Sequence, residues 1–144
     1  MNRTETAEQL FDLLFLLRKR LVRHAAQQAK HEFSPMQMHV LFTLCERQCA
    51  TMSELAGDVL IAKQQLTPIV DRLVAAGLVL REPDPCDRRV VKIRLSQAGS
   101  DFLAEKRLEA IGIFETRIAC LGEHDLARLG DALGPLQEII RKLP

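Results

Sequence analysis

The chain is poor in aromatic side chains: it has no Trp and no Tyr, and six Phe supply all of its aromatic rings apart from His. Its core must therefore be built mainly from Leu, Ile, Val and Ala. Seven Gly and six Pro are too few for a disordered chain, and a hydrophobic content of 47% suffices for one compact domain. Alternating strand patterns are scarce and helical spacing is common, which predicts a mainly α fold.

Sequence motifs of enzymes and metal sites are also missing. The chain contains no phosphate-binding loop, no nucleophile elbow and no His-Glu-x-x-His, so we expect that it is not an enzyme. Its histidines show no paired-ligand spacing, and we expect neither a metal nor another cofactor; they are His24, His31, His39 and His124.

Long apolar runs are absent as well. None approaches the ~20 residues of a membrane span. Glu5 and Glu8 precede the first apolar run and Arg18-Lys19-Arg20 soon breaks it, a pattern unlike that of a signal peptide. We therefore expect a cytoplasmic protein without a membrane partner, whose four cysteines are thiols.

The ends of the chain are predicted to be helical. Residues 4–32 read as one long helix with Thr4 as N-cap, and residues 97–120 and 123–142 read as two more, with Gly134-Pro135 kinking or interrupting the last. The first helix carries a broad apolar stripe: Leu10, Leu14, Leu17, Leu21 and Ala25. So wide a stripe favours a partner helix from a second subunit. The alternative is that one chain wraps the helix fully.

A different pattern occupies residues 34–96. Ser34-Pro35 begins a helix, Thr51 or Ser53 caps a short helix ending near Leu60, and a third helix runs from Lys63 to Ala76, followed by Gly77. Residues 78–80 and 90–95 read as strands joined by the turn 83–87, and Ser96 caps the next helix. Helix, helix and basic hairpin in this order are the layout of a winged helix-turn-helix.

The third helix and the hairpin carry the side chains suited to reading DNA. The chain has a formal net charge of +1, but residues 61–95 hold seven basic and four acidic residues. Polar positions on the helix face outward, where Gln and Thr can contact base edges. An ordinary solvated face is the alternative. At the hairpin tip, Asp87 is placed to orient Arg89 by an ion pair for a narrow minor groove, while Arg88, Lys92 and Arg94 suit phosphates. A plain surface ion pair is the alternative here.

The ordered motifs resemble the MarR family of bacterial transcription regulators. They are Ser53-Glu54-Leu55-Ala56, Arg72-Leu73 with Gly77-Leu78-Val79, Asp87-Arg88-Arg89, and Ile93-Arg94-Leu95-Ser96 with Gly99. The resemblance implies one domain over 1–144, with dimerisation helices at 1–33 and 97–144 around a winged helix module at 34–96. It implies a homodimer on an inverted repeat in double-stranded DNA. The predicted DNA-binding residues are Ser53, Lys63, Gln64, Gln65, Thr67, Arg72, Asp87, Arg88, Arg89 and Lys92.

Two residues depart from the family pattern. Ala62 stands where Ser or Thr often caps the recognition helix, and Pro68 fits easily only if that helix begins near Gln65. The function expected from the resemblance is that of a repressor released by a small-molecule effector or an oxidant. A winged-helix protein–protein adaptor without sequence-specific DNA binding is the alternative.

Three cysteines are candidates for redox sensing: Cys86, Cys45 and Cys49. The last two are predicted four apart on one helix face, in a stripe with Met38 and Phe42 that reads as buried core or, alternatively, as the lining of a ligand pocket. Arg18, Arg20 and His24 on the first helix read as a solvated face or as an anion-holding group.

Overall fold

The structure, a computed structural model, describes residues 2–28 and 32–144, apart from the side chains of residues 24, 26 and 28. Predictions that concern His24, His31 or a helix over 29–31 therefore lie outside the described residues. The chain divides into two compact units, Met1–Ala29 with Glu109–Pro144 and Lys30–Leu108. The division of the chain into dimerisation helices and a DNA-binding module stays a prediction.

The unit Lys30–Leu108 combines three helices with a small sheet. Its elements are α3 (Pro35–Arg47), β1 (Cys49–Thr51), α4 (Met52–Val59), α5 (Lys63–Ala75), β2 (Val79–Pro83), β3 (Val91–Leu95) and the first half of α6 (Gln97–Ile118). The three strands are antiparallel in the order β1-β3-β2. Ser34 caps α3 and Thr51 caps α4, each in a reciprocal capping box. The winged helix-turn-helix predicted from the sequence is therefore confirmed.

The core of this unit is aliphatic, as the lack of large aromatics predicts. Its fully buried side chains include Val40, Leu41, Leu44, Leu55, Leu66, Val70, Leu73 and Ile93. Each buried Leu contributes about 1.5–3 kcal/mol relative to leaving it in water. Three of the eight come from one side of α5, so packing fixes the rotation of that helix and leaves its other side to solvent.

Strand β1 was missed in the sequence prediction. Gln48 adopts a positive φ of 70° and ends α3, so Cys49 lies on β1 opposite Arg94 and not on the helix. The predicted helical pair of Cys45 and Cys49 is therefore wrong. Phe42 and both cysteines are exposed, so the interpretation of their stripe as buried core is also wrong for these three residues.

The other unit is helical. Its elements are α1 (Arg3–Leu17), a π-helical turn (Arg18–Val22), α2 (Arg23–Gln28), the second half of α6, and α7 (Glu123–Ile140). Asn2, not Thr4, caps α1. Its side chain accepts a hydrogen bond from the Glu5 N–H at 2.9 Å, and the Glu5 carboxylate accepts one from the Asn2 N–H at 3.0 Å. Helix α7 runs through Gly134-Pro135 without the predicted interruption.

The apolar stripe of α1 is exposed within the single chain. Phe11, Leu14 and Phe15 are each more than 60% exposed, and no residue of α1 is buried. Helix α7 also leaves Leu126, Leu129 and Leu133 on its surface. Full wrapping of the stripe within one chain, the alternative considered from the sequence, is therefore contradicted. None of the described helices is both long and apolar enough to cross a bilayer.

Candidate nucleic-acid interface

Helix α5 presents a polar face opposite its buried side. Thr67 is exposed, and its hydroxyl donates a hydrogen bond to the Lys63 carbonyl at 2.9 Å. In the described part of the chain neither Lys63 nor Arg72 has an ion-pair partner, so both charges are available to phosphates or to guanine. All five predicted residues of this helix are exposed: Lys63, Gln64, Gln65, Thr67 and Arg72.

The first turn of α5 forms without a side-chain acceptor at its N-cap. Ala62 holds that position, and the Gln65 side chain accepts a hydrogen bond from the Ala62 N–H at 3.2 Å. Gln65 therefore supports the start of the helix in the free protein. The helix begins at Lys63, as predicted, and it continues through Pro68 without the later start near Gln65 at which this proline would fit easily.

The wing turn is held by aspartate side chains that bond to the backbone. Asp84 accepts hydrogen bonds from the N–H groups of Cys86 at 2.8 Å and Asp87 at 3.2 Å. These bonds, together with Lys92 at 3.7 Å, hold the pKa of the Asp84 carboxyl below its ordinary value. The Asp84 N–H in turn donates to the Val90 carbonyl at 2.8 Å, which closes the loop between β2 and β3.

The tip of the wing carries two uncovered guanidinium groups. Asp87 accepts a hydrogen bond from the backbone N–H of Arg89 at 3.0 Å, and no side-chain ion pair joins the two residues. The predicted ion pair is therefore wrong, because the short Asp87 side chain folds back onto the backbone two residues ahead. Within the described ranges Arg88 and Arg89 lack a carboxylate partner, and both are exposed.

Two other arginines of the hairpin are already paired. Arg94 forms a two-pronged ion pair with Glu82 on the neighbouring strand, at 2.8 and 2.6 Å, which lowers the pKa of Glu82 and raises that of Arg94. Arg81 pairs with Asp71 at 2.5 Å and so ties β2 to α5. Arg94, predicted to contact phosphate, instead pins the two strands of the hairpin together. The sequence signal was weak, because Glu82 lies opposite Lys92 in the strand register and reaches Arg94 only diagonally.

The remaining predicted residues lie around this face. Thr51, not Ser53, caps α4. The exposed Ser53 hydroxyl therefore does not cap the helix and can contact DNA without uncapping it. The Thr51 N–H bond and Arg47 lower the pKa of Glu54. Cys86 lies exposed in the wing turn. No group of three or more potential metal ligands occurs among the residues that the structure describes.

Ser96 and Gly99 form a joint at which the recognition helix, the hairpin and α6 meet. The Ser96 hydroxyl donates to the Gly77 carbonyl at 2.6 Å and accepts from the Gly99 N–H at 3.0 Å. Gly77 has φ +75°, which ends the turn after α5 as predicted. A Cβ on Gly99 would overlap the Leu78 carbonyl oxygen, so the backbones approach too closely there for any other residue. The sequence showed Ser96 and Gly99 but not this contact.

A buried scaffold, an outward recognition helix and a wing with two uncovered arginines define a winged helix-turn-helix protein of the DNA-binding class. Residues 33–91 match the MarR family. YcgE of Bacillus subtilis, described as an uncharacterized HTH-type transcriptional regulator, is 34% identical over 143 residues, covering 87% of this chain and 92% of YcgE. The chain belongs to the MarR family of transcription regulators, which implies regulation through DNA binding.

Three further proteins match different shares of the chain. YkoM of Bacillus subtilis is 28% identical over 69% of this chain, and the match spans 65% of YkoM. The transcriptional repressor NicR of Pseudomonas putida is 33% identical over 61% of this chain and 58% of its own length. A MarR family protein from Bacillus stearothermophilus superposes with a TM-score of 0.75 over 99% of this chain and all of its own, at 23% identity.

Proposed function

We propose that this chain is a homodimeric, sequence-specific DNA-binding repressor acting in the cytoplasm, and that it binds an inverted-repeat operator. The observation that carries the proposal is the set of unpaired cations on both reading elements, Lys63 and Arg72 on α5 and Arg88 and Arg89 on the wing. The other hairpin arginines, Arg81 and Arg94, are neutralised by partners. Positive charge is thus left uncovered where a recognition helix and a wing meet DNA.

The contacts proposed for the reading elements follow from their chemistry. Gln64 and Thr67 face base edges from the major-groove helix, while Lys63 and Arg72 contact phosphate or guanine. Arg89 enters the minor groove and Arg88 contacts the backbone. Ser53 contacts a phosphate, as does Lys92 once it leaves Asp84, which is 3.7 Å away in the free protein. Asp87 holds the tip in shape through its backbone hydrogen bond.

The exposed apolar faces of the terminal helices support a dimer. Leu10, Phe11, Leu14 and Phe15 form a surface on α1 that water would solvate poorly. A second copy covers such a surface symmetrically, and a two-fold dimer places two recognition helices on half-sites about one helical turn apart. The role as repressor takes support from the similarity to NicR.

An effector is proposed to release the protein from DNA, either a small molecule or an oxidant. The exposed thiol of Cys86 is flanked at the wing by Arg88 and Arg89, so its oxidation would act next to the DNA. Cys45 and Cys49 are also exposed but lie on different elements. Peroxide treatment should weaken DNA binding of the wild type and spare Cys86→Ser; equal loss in both proteins would exclude this thiol.

The experiment that tests the proposal is selection of bound sequences from random duplex DNA by the full-length protein at low salt. A palindrome should be enriched, and Arg72→Gln/Arg89→Gln should lose it. Arg107→Gln/Arg141→Gln removes equal charge from exposed positions outside α5 and the wing and should retain it. If no sequence is enriched even at low salt, where phosphate contacts are strongest, the chain acts as a protein–protein adaptor instead.

A further inference from the structure

A group of four cations surrounds one cavity in the helical unit. The cavity has a volume of about 280 Å³, and its lining consists of Lys19, Arg20, Arg23, Gln27 and Arg117. Every described residue that lines it carries a basic or an amide group, which suits an anion. Its volume lies near the lower end of small-molecule sites, which span roughly 300–1,000 Å³.

The positive charge around this cavity is uncompensated. None of the four cations forms an ion pair with a described carboxylate. Lys19 and Arg23 are also four residues apart, a spacing at which like charges on a helix repel. By contrast, Arg47 is paired with Asp58 at 2.6 Å. The cavity therefore brings together four positive charges that a bound anion would neutralise.

The π-helical turn contributes the shape of the cavity. Its last bond runs from the Arg23 N–H to the Arg18 carbonyl, five residues back. One extra residue rotates the following helix by about 100° relative to an uninterrupted α-helix. This rotation changes the direction of Arg23 and Gln27, both of which line the cavity. Single π turns are frequently found at functional sites.

We propose that this cavity binds a small multivalent oxyanion, with two or more carboxylate or phosphate groups. Three guanidinium groups offer planar pairs of donors that match such groups, and Lys19 and Gln27 add single donors. The cavity is lined by the helical unit alone. The inference stands whether or not the chain binds an operator.

The test is titration of the full-length protein with citrate and, separately, with inorganic phosphate by calorimetry, each at constant ionic strength set with sodium chloride. We expect saturable binding of at least one anion. Lys19→Gln/Arg23→Gln should weaken it about tenfold or more. Arg107→Gln/Arg141→Gln, with the same change in charge, should bind as the wild type does.

A second variant separates geometry from charge. Arg20→Lys/Arg23→Lys keeps the net charge but removes two guanidinium forks, and we expect it to weaken binding as well. The proposal would be overturned if titration with sodium chloride alone gave the same heat as the anion. It would also be overturned if Arg107→Gln/Arg141→Gln lost as much anion affinity as the cavity variants. A change in self-association of Lys19→Gln/Arg23→Gln without loss of anion binding would assign the cations to a second copy. Competition by random duplex DNA would assign them to nucleic acid. Either of these last two results also overturns the proposal.

Discussion

The wing provides the sharpest prediction, which concerns Arg89→Ala. Its guanidinium has no described partner, so the substitution breaks no ion pair within the protein and removes only a contact to DNA. The expected loss is about 1–3 kcal/mol for each wing that contacts DNA, which corresponds to roughly 5- to 150-fold in Kd per wing. The folded dimer should stay intact, because the side chain is exposed at the tip of the turn.

The salt dependence of binding gives an independent magnitude. Each cation that neutralises a phosphate contributes about 0.9 to the slope of log K against log salt. Arg88 is the wing residue proposed to contact the backbone, so Arg88→Ala, which removes it from both wings of a dimer, should lower the slope by about 1.8. From 50 to 200 mM salt, the wild type should therefore lose about twelvefold more affinity than the variant. Fluorescence anisotropy with the selected operator measures both quantities, and Arg107→Ala controls for net charge. Unchanged affinity together with an unchanged slope would refute the wing assignment.

Three further predictions concern assembly, folding and pH. Leu14→Glu/Leu17→Glu should dissociate or unfold the protein in sedimentation experiments, because it places charge in the exposed stripe of α1. Gly99→Ala should lower the free energy of unfolding by about 1–3 kcal/mol in urea, because its Cβ meets backbone. The pKa of the Asp84 carboxyl is depressed on folding, so its contribution to stability is present above its unfolded-state pKa and is lost as pH falls through the folded pKa. NMR should show the two amide protons bonded to this carboxylate shifting with a midpoint below that of an ordinary aspartate.

Each of these predictions has an outcome that contradicts it. A stable folded monomer of Leu14→Glu/Leu17→Glu with full DNA affinity would refute the dimer. Gly57→Ala, in a helix with open space around the new Cβ, should stabilise by about 0.5–1 kcal/mol, so equal effects of the two glycine changes would contradict the close contact at Gly99. For Asp84, amide shifts that follow the pKa of an ordinary aspartate would show that its hydrogen bonds do not hold the turn in solution.

Local signals in the sequence predicted most of the winged module. Three such signals act within one turn of the backbone, and the structure has all three in the predicted roles. They are Ser34 before Pro35, Gly77 after a helical run, and Ser96 at the start of α6. Apolar spacing on α5 gave its buried face because Leu66 and Val70 recur at the helical period. Such features depend on neighbours in sequence and can be read directly from it.

Features that depend on distant contacts were missed. Strand β1 has only three residues and no alternating pattern, and it exists because β3 supplies its hydrogen bonds. The π turn has no signature in the spacing of Arg18 to Val22. Of the anion-holding group considered from the sequence, only Arg20 is among the described residues that line the cavity. At the wing, the sequence placed Asp87 and Arg89 together but could not tell a bond to the side chain from the observed bond to the backbone.

The joint at Ser96 has a mechanical consequence. One hydroxyl bonds both the carbonyl after α5 and the first turn of α6, while Gly99 leaves no gap against Leu78. We therefore expect the recognition helix, the wing and the start of α6 to move together as one body. In the proposed dimer, a signal that reaches α6 changes the separation of two such bodies and leaves each reading surface unaltered. An effector would then weaken binding by changing the distance between the two reading surfaces. Lengthening the operator by a base pair or two should therefore mimic its effect.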